Sequence, residues 1–192
     1  MRARLSAKSA GASRLVPGKN NSNSSNNSRT TRFVADSMLG SVARKLRIFG
    51  FDTLYVVHVA DSEVLRIGVE QDRVILTADK EFFKRIVKAK ARGVLVGGSD
   101  ELEDLVHILR KNDIRMVNGM TIGTESRCAI CNGRLATVNA FDVQGRLPEK
   151  VAQRHDNKNI YRCEACGKLY WEGSHIRRIR QLARNIDLKL QL

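Results

Sequence analysis

Every cysteine in the chain falls into one of two pairs, Cys128-x2-Cys131 and Cys163-x2-Cys166. Four thiolates at this spacing complete a tetrahedral zinc site and leave no open position for catalysis, so the expected ion is a structural Zn²⁺. A second set of chemically capable residues lies upstream. Asp36 follows the apolar run RFVA, Asp61 follows TLYVVHVA, and Asp79 follows VILTA. Carboxylate oxygens are hard ligands and suit Mg²⁺ or Mn²⁺. Three of them brought to one place would repel and raise the pKa of at least one, unless a divalent cation neutralised them. Such an ion lowers the pKa of a bound water and stabilises charge on a phosphate under in-line attack. The competing reading is helix capping, since each aspartate precedes a helical pattern and Asp is a favoured N-cap. Three aspartates, with no Ser or Thr substituting as cap, favour the metal. Glu63, Glu81, Asp100 and Asp104 are lesser candidates that read first as surface or capping residues.

The elements that must position these residues are legible from periodicity. Ser37 to Phe49 places Met38, Leu39, Val42, Leu46 and Phe49 on one helical face, and Gly50 ends the helix. Thr53 to Val59 is rich in β-branched and aromatic residues and predicts a strand. Further strands are expected at 74–77 and 94–96, helices at 62–71, 80–91 and 101–112, and a last edge strand at 115–117. Strands alternating with helices imply right-handed crossovers and a mainly parallel sheet inside a three-layer α/β domain. Ligand sites in such sheets lie at the carboxyl ends of the strands, where the three aspartates would gather.

The thirty-one residues between the cysteine pairs suit a ribbon with an inserted hairpin. Zinc would supply much of the folding free energy of so small a module. Residues 175–190 form an amphipathic pattern with Ile176, Ile179, Ala183, Ile186 and Leu190 on one face. Arg177, Arg178, Arg180 and Arg184 fall largely off that stripe, either to follow a phosphate backbone or as a solvated face. Arg44, Lys45 and Arg47 near Asp36 carry the same two readings. Tyr161, Tyr170 and Trp171 are candidates for base stacking, with core packing as the alternative for at least two. His175 reads as a surface or packing residue.

The net charge of +14 is uneven: residues 1–32 carry seven basic residues and no acid, residues 33–126 fourteen of each sign, and residues 127–192 thirteen basic and six acidic. Positive charge in the tail and the cysteine module suits a polyanion partner. Residues 1–31 are expected to be a disordered basic Asn/Ser-rich tail, with 32–124 as the α/β domain and 125–192 as the zinc ribbon with a basic helix. The first nineteen residues have the composition of an organellar transit peptide or of a flexible basic arm. No apolar run suggests a membrane span. Zinc-type cysteines suggest a reducing intracellular compartment, cytoplasmic or, in a eukaryote, organellar.

The stretches FVADSMLGSVARKLRIFGFDTLYV and DSEVLRIGVEQDRVILTADKEF, followed by SRCAICNGRL and YRCEACGKLYWEGSHIRRIR, resemble the PIN-like RNase domain family named for the C-terminal region of the Mut-seven exonucleases. The resemblance runs from Arg32 to about Arg180. It implies a PIN-like fold with a zinc ribbon behind it and a metal-dependent ribonuclease activity. Asp36, Asp61 and Asp79 match that family's acidic positions, and Asp100 is the choice for a fourth acid. RNA is the expected partner, with DNA an open alternative. The competing function is a non-catalytic RNA-binding or protein-docking module of the same fold.

Overall fold

The computed structural model describes residues 31–97, 100–115, 125–143, 145–152 and 160–192. The basic segment 1–30 and residues 116–117 of the expected edge strand lie outside the described residues. Strands β1 (Arg32–Ala35), β2 (Thr53–Tyr55), β3 (Arg73–Thr77) and β4 (Gly93–Leu95) form a parallel sheet in the order β2-β1-β3-β4. Helices α1 (Gly40–Ile48), α2 (Asp61–Glu70), α3 (Lys80–Lys88) and α4 (Glu101–Lys111) alternate with them.

Side chains along a strand point alternately to the two faces of a sheet, and the core divides accordingly. Phe33, Ala35, Val74 and Leu76 share one buried cluster with Leu46 of α1 and Leu105 and Leu109 of α4. Val34 and Ile75 share another with Val64 of α2 and Phe82 and Ile86 of α3. Helices therefore cover both faces, as the alternating pattern predicts. Helix α1 stops where expected. Gly50 takes φ +95°, the Gly50 N–H bonds to Arg47 O at 2.9 Å, and the Phe51 N–H bonds to Leu46 O at 3.0 Å. These two bonds form a Schellman motif, which the left-handed glycine permits.

Strand β2 is shorter than composition predicts. Its last residue, Tyr55, pairs with Ala35, and the Val56 N–H makes one more bond to Ala35 O at 3.1 Å. Beyond that point β1 has turned into the 3₁₀ helix Ser37–Leu39, so residues 57–59 have no neighbour to pair with. His58 adopts φ +58°, and Val57 and Val59 are exposed.

A second, antiparallel sheet contains β5 (Leu135–Val138), β6 (Ile160–Cys163) and β7 (Leu169–Trp171), in that order. Strands β5 and β6 pair as antiparallel neighbours, and between them the described residues include a 3₁₀ turn, Phe141–Val143, and the short helix α5 (Glu149–Ala152). Val143 and Leu147 close over Ile160 as a small core of their own. The long helix α6 (Ser174–Leu190) then returns to the parallel sheet. Ala183 and Ile186 are buried in the cluster of α1 and α4, with Ile179, Leu182 and Leu190 packed beside them. The Arg110 guanidinium donates to Lys189 O at 2.6 Å. No described helix is long and apolar enough to cross a membrane.

Candidate functional site

The carboxyl ends of β1 and β3 carry two of the three aspartates. The Asp36 carboxylate accepts the Met38 N–H at 3.0 Å, capping the 3₁₀ helix, and its second oxygen accepts a short hydrogen bond from the Thr77 hydroxyl. Thr77 Oγ1 in turn accepts the Asp79 N–H at 3.0 Å. Thr77, buried at the end of β3, thus ties Asp36 to the Asp79 backbone across neighbouring strands. Asp79 Oδ1 caps α3, accepting N–H bonds from Glu81 at 2.7 Å and Phe82 at 3.0 Å. These bonds, Phe82 first and then Glu81, hold the Asp79 carboxyl below its usual pKa, with Arg85 adding a smaller pull. The expected upward shift from mutual repulsion does not appear at this residue.

Asp61 is placed differently. It is the first residue of α2 rather than its cap, which is Ala60, and its carboxylate forms an ion pair with Arg85 of α3. The Arg85 guanidinium also lies 5.4 Å from the centre of the Phe82 ring. Because β2 ends early, a loop rather than a strand delivers Asp61. Among the described residues the three carboxylates do not gather into one cluster that could hold a metal ion. Capping is real for Asp36 and Asp79: both Asp36 oxygens accept hydrogen bonds, while the two cap bonds at Asp79 fall on Oδ1 alone. Asp100 caps α4 through Leu102 and Glu103. Glu63 pairs with Arg66 and Glu81 with Lys84. Asp104 is the buried acid, and a Cβ added at Gly97 would lie 3.6 Å from its Oδ1, just beyond β4.

The cysteines converge tightly. All four sulfurs lie within 4.8 Å of one another, with Cys128–Cys166 at 3.6 Å and Cys131–Cys163 at 3.4 Å. A tetrahedron with Zn–S bonds of about 2.3 Å has edges of roughly 3.8 Å, so the quartet fits zinc. Burial pushes the Cys128 thiol up, but the Tyr170 hydroxyl and the backbone N–H groups of Cys131 and Ile130 outweigh it and bring the group down to about 6. The Tyr170 oxygen lies 3.0 Å from Cys128 Sγ and accepts the Ala129 N–H at 3.1 Å. Gly133 allows the second knuckle to approach, since a Cβ there would sit 2.8 Å from Cys163 Sγ and 2.9 Å from Ala165 Cβ. The Asn-Gly pair after Cys131 was the available sequence signal for this turn, and Asn132 indeed adopts φ +67°.

The first knuckle docks on the amino edge of the parallel sheet, opposite the aspartates. Arg47, an expected phosphate holder, is only 6% exposed. Its Nε donates to Thr53 O at 2.8 Å, and its Nη1 donates to Ala129 O at 3.0 Å and Ile130 O at 2.9 Å. The guanidinium is therefore a clamp between α1, β2 and the knuckle, and the phosphate reading of Arg47 gives way. Asn132 adds a second tie, accepting the Thr53 N–H at 3.1 Å and donating to Asp52 at 2.8 Å. Burial would raise the pKa of Asp52, but hydrogen bonds from Arg73 and then Asn132 prevail and hold it low. The stability it contributes is therefore present above about pH 4 and is lost as pH falls further. Replacing Arg47 with Met strands three carbonyls without their donor. We expect a loss of roughly 2–4 kcal/mol in urea unfolding, and a loss below about 0.5 kcal/mol would remove the clamp from the account.

The remaining cations are more open. Arg44, Arg177 and Arg178 are exposed, Lys45 pairs with Glu101 at 3.1 Å, and Arg180 pairs with Glu172. Arg184 bonds to Gln181 at 2.6 Å. Tyr161 is buried against Cys128 and Leu135, whereas Tyr170 and Trp171 are half-buried. Thr77 and Arg85, which organise the acidic edge, carried no individual signal in the sequence beyond the T-x-D spacing.

Comparison with curated proteins and with solved structures gave no match. The Mut7-C RNAse domain model matches residues 31–183, a span that takes in the parallel sheet, the acidic edge, the cysteine quartet and most of α6. With more than half of its length matched, the chain belongs to the Mut7-C RNAse domain family.

Proposed function

We propose that this chain is a metal-dependent ribonuclease that hydrolyses RNA phosphodiester bonds at the carboxyl edge of a PIN-like domain, residues 32–124. The zinc ribbon and basic helix of residues 125–192 help to hold the RNA. The observation that carries this reading is the pairing of Asp36 and Asp79 at the ends of adjacent central strands, joined through Thr77, in a member of an RNase domain family. Magnesium is commonly held by one or two carboxylates together with substrate phosphates and water, and Asp36 and Asp79 suit that role. Asp61 joins them only if Arg85 releases it. A divalent cation bound there supplies a water of lowered pKa and offsets charge on the phosphate.

The chain's own part is positioning. Thr77 and the Met38 N–H fix the Asp36 carboxylate, and the α3 cap keeps Asp79 ionised. Arg85, beside Asp61 and Phe82, is placed to meet a phosphate oxygen once displaced from its acid. Zinc held by thiolates suits a reducing compartment. One observation favours a non-catalytic RNA-binding module instead, namely that the three carboxylates do not gather into one cluster and Asp61 is occupied by Arg85.

End-labelled single-stranded RNA, its DNA counterpart and a duplex, each incubated with zinc-loaded protein and Mg²⁺, Mn²⁺ or neither, separate these readings. We expect RNA products only with added Mg²⁺ or Mn²⁺. Retained RNA with no cleavage of any substrate would establish the binding module, and equal cleavage of DNA would broaden the substrate.

A further inference from the structure

A cleft of about 980 Å³ lies between α1, the knuckle, β7 and the first turns of α6. That volume is at the upper end of the range of small-ligand sites. It runs from Ala129, beside the clamp at the amino edge of the sheet, to Glu101, at the start of α4 on the carboxyl edge. Glu101 also bonds to Ser41 and Lys45 of α1. The cleft thus spans the distance between the zinc module and the edge that carries Asp36.

Its lining has two chemistries side by side. Arg44, Lys168 and Arg178 are exposed cations with no ion pair among the described residues, and the one acid, Glu101, is already matched by Lys45. Tyr170 and Trp171 provide the aromatic surface. The Tyr170 hydroxyl is fixed by Cys128 and Ala129, while Trp171 packs against the cluster of Val143, Leu147 and Ile160. Rigid rings beside unpaired cations are the combination that binds single-stranded nucleic acid, with bases stacked on the rings and phosphates held by the charges. A base reaches an aromatic face only when it is not stacked in a duplex.

The geometry points to this cleft as a binding path for single-stranded RNA, with unpaired bases against Tyr170 and Trp171 and phosphates against Arg44, Lys168 and Arg178. It deepens the ribonuclease reading and rests on it for the choice of RNA, but not for the existence of the site. The cleft selects unpaired strands and leads them along α1 toward the acidic edge.

Trp171 is the only tryptophan in the chain, so its fluorescence reports on the cleft directly. Zinc-loaded full-length protein, without Mg²⁺ or Mn²⁺, is titrated with a single-stranded RNA, the matching hairpin duplex and polyglutamate. A parallel assay with Mn²⁺ follows RNA cleavage. We expect the single strand alone to quench Trp171. Lys168→Ala/Arg178→Ala should weaken its binding about tenfold and lower the salt slope by about 1.4. Asp36→Asn/Asp79→Asn should leave the quench unchanged. Quenching without cleavage would keep the cleft and overturn the ribonuclease. Cleavage with no fluorescence change, and equal in the cleft variant, would overturn the cleft and keep the ribonuclease. Quenching by polyglutamate as strong as by RNA would overturn the proposal in favour of an acidic protein partner.

Discussion

Asp36→Asn/Asp79→Asn should lower the RNA cleavage rate by about 10³-fold or more while changing RNA affinity by less than about threefold. The size follows from losing both charges that suit a divalent cation, a stabilisation of several kcal/mol in which each 1.36 kcal/mol is a factor of ten in rate. Asparagine is the informative replacement because its amide oxygen still accepts the N–H bonds of Met38, Glu81 and Phe82, and Asn caps helices about as well as Asp. Loss of activity would therefore report the charge rather than a frayed helix, and circular dichroism melts should show only the small loss that follows from an amide nitrogen at position 36 replacing the acceptor of the Thr77 hydroxyl. Cleavage within tenfold of wild type would remove these two residues from the chemistry. Asp61→Asn is a useful companion, because an equal loss there would mean that Arg85 yields Asp61 in the working complex.

Stripping zinc should unfold the cysteine module and lower the melting temperature of what remains by about 10 °C or more. The module has two small buried clusters, one of them built on Cys128 and Cys163 themselves, and little else to replace the metal. Structural zinc supplies about 10–16 kcal/mol of apparent binding free energy in small modules, more than most whole domains hold in reserve. The damage should spread because Arg47 and Asp52 in the α/β layer are tied to knuckle residues 129–132. Metal content measured beside thermal melts, before and after chelation, checks this. An unchanged melt in protein shown to be free of zinc would mean that the quartet is not a structural metal site.

What was legible in the sequence is what local spacing dictates. Alternating buried strands and helices yield the parallel sheet, and Cys-x2-Cys pairs yield the converging sulfurs. Distant partners were not legible. Arg47 sits in a run of basic residues that reads as a solvated face, and only the arrival of residues 129–130 makes it a clamp. The apolar stripe of α6 announced that the helix docks, but not that α4 receives it. Strand β2 was over-extended because β-branched composition carries no information about where its neighbour turns away. Asp61 moved with it, to a loop-borne position paired with Arg85, while the hydrogen bonds through Thr77 link Asp36 to the Asp79 backbone.

The docking of α6 sets an order for folding. Phe33 and Leu46 belong to the same sealed core as Ala183 and Ile186, so a chain emerging from the ribosome cannot finish its first layer until α6 has been synthesised. Until then the apolar face that α4 offers to α6 stays open to whatever meets it, the condition under which nascent chains aggregate or recruit chaperones. Contacts so far apart in sequence also slow the search for the native state. A chain cut before Ser174 would lack Ala183 and Ile186, and with them the closure that makes this core a finished solid.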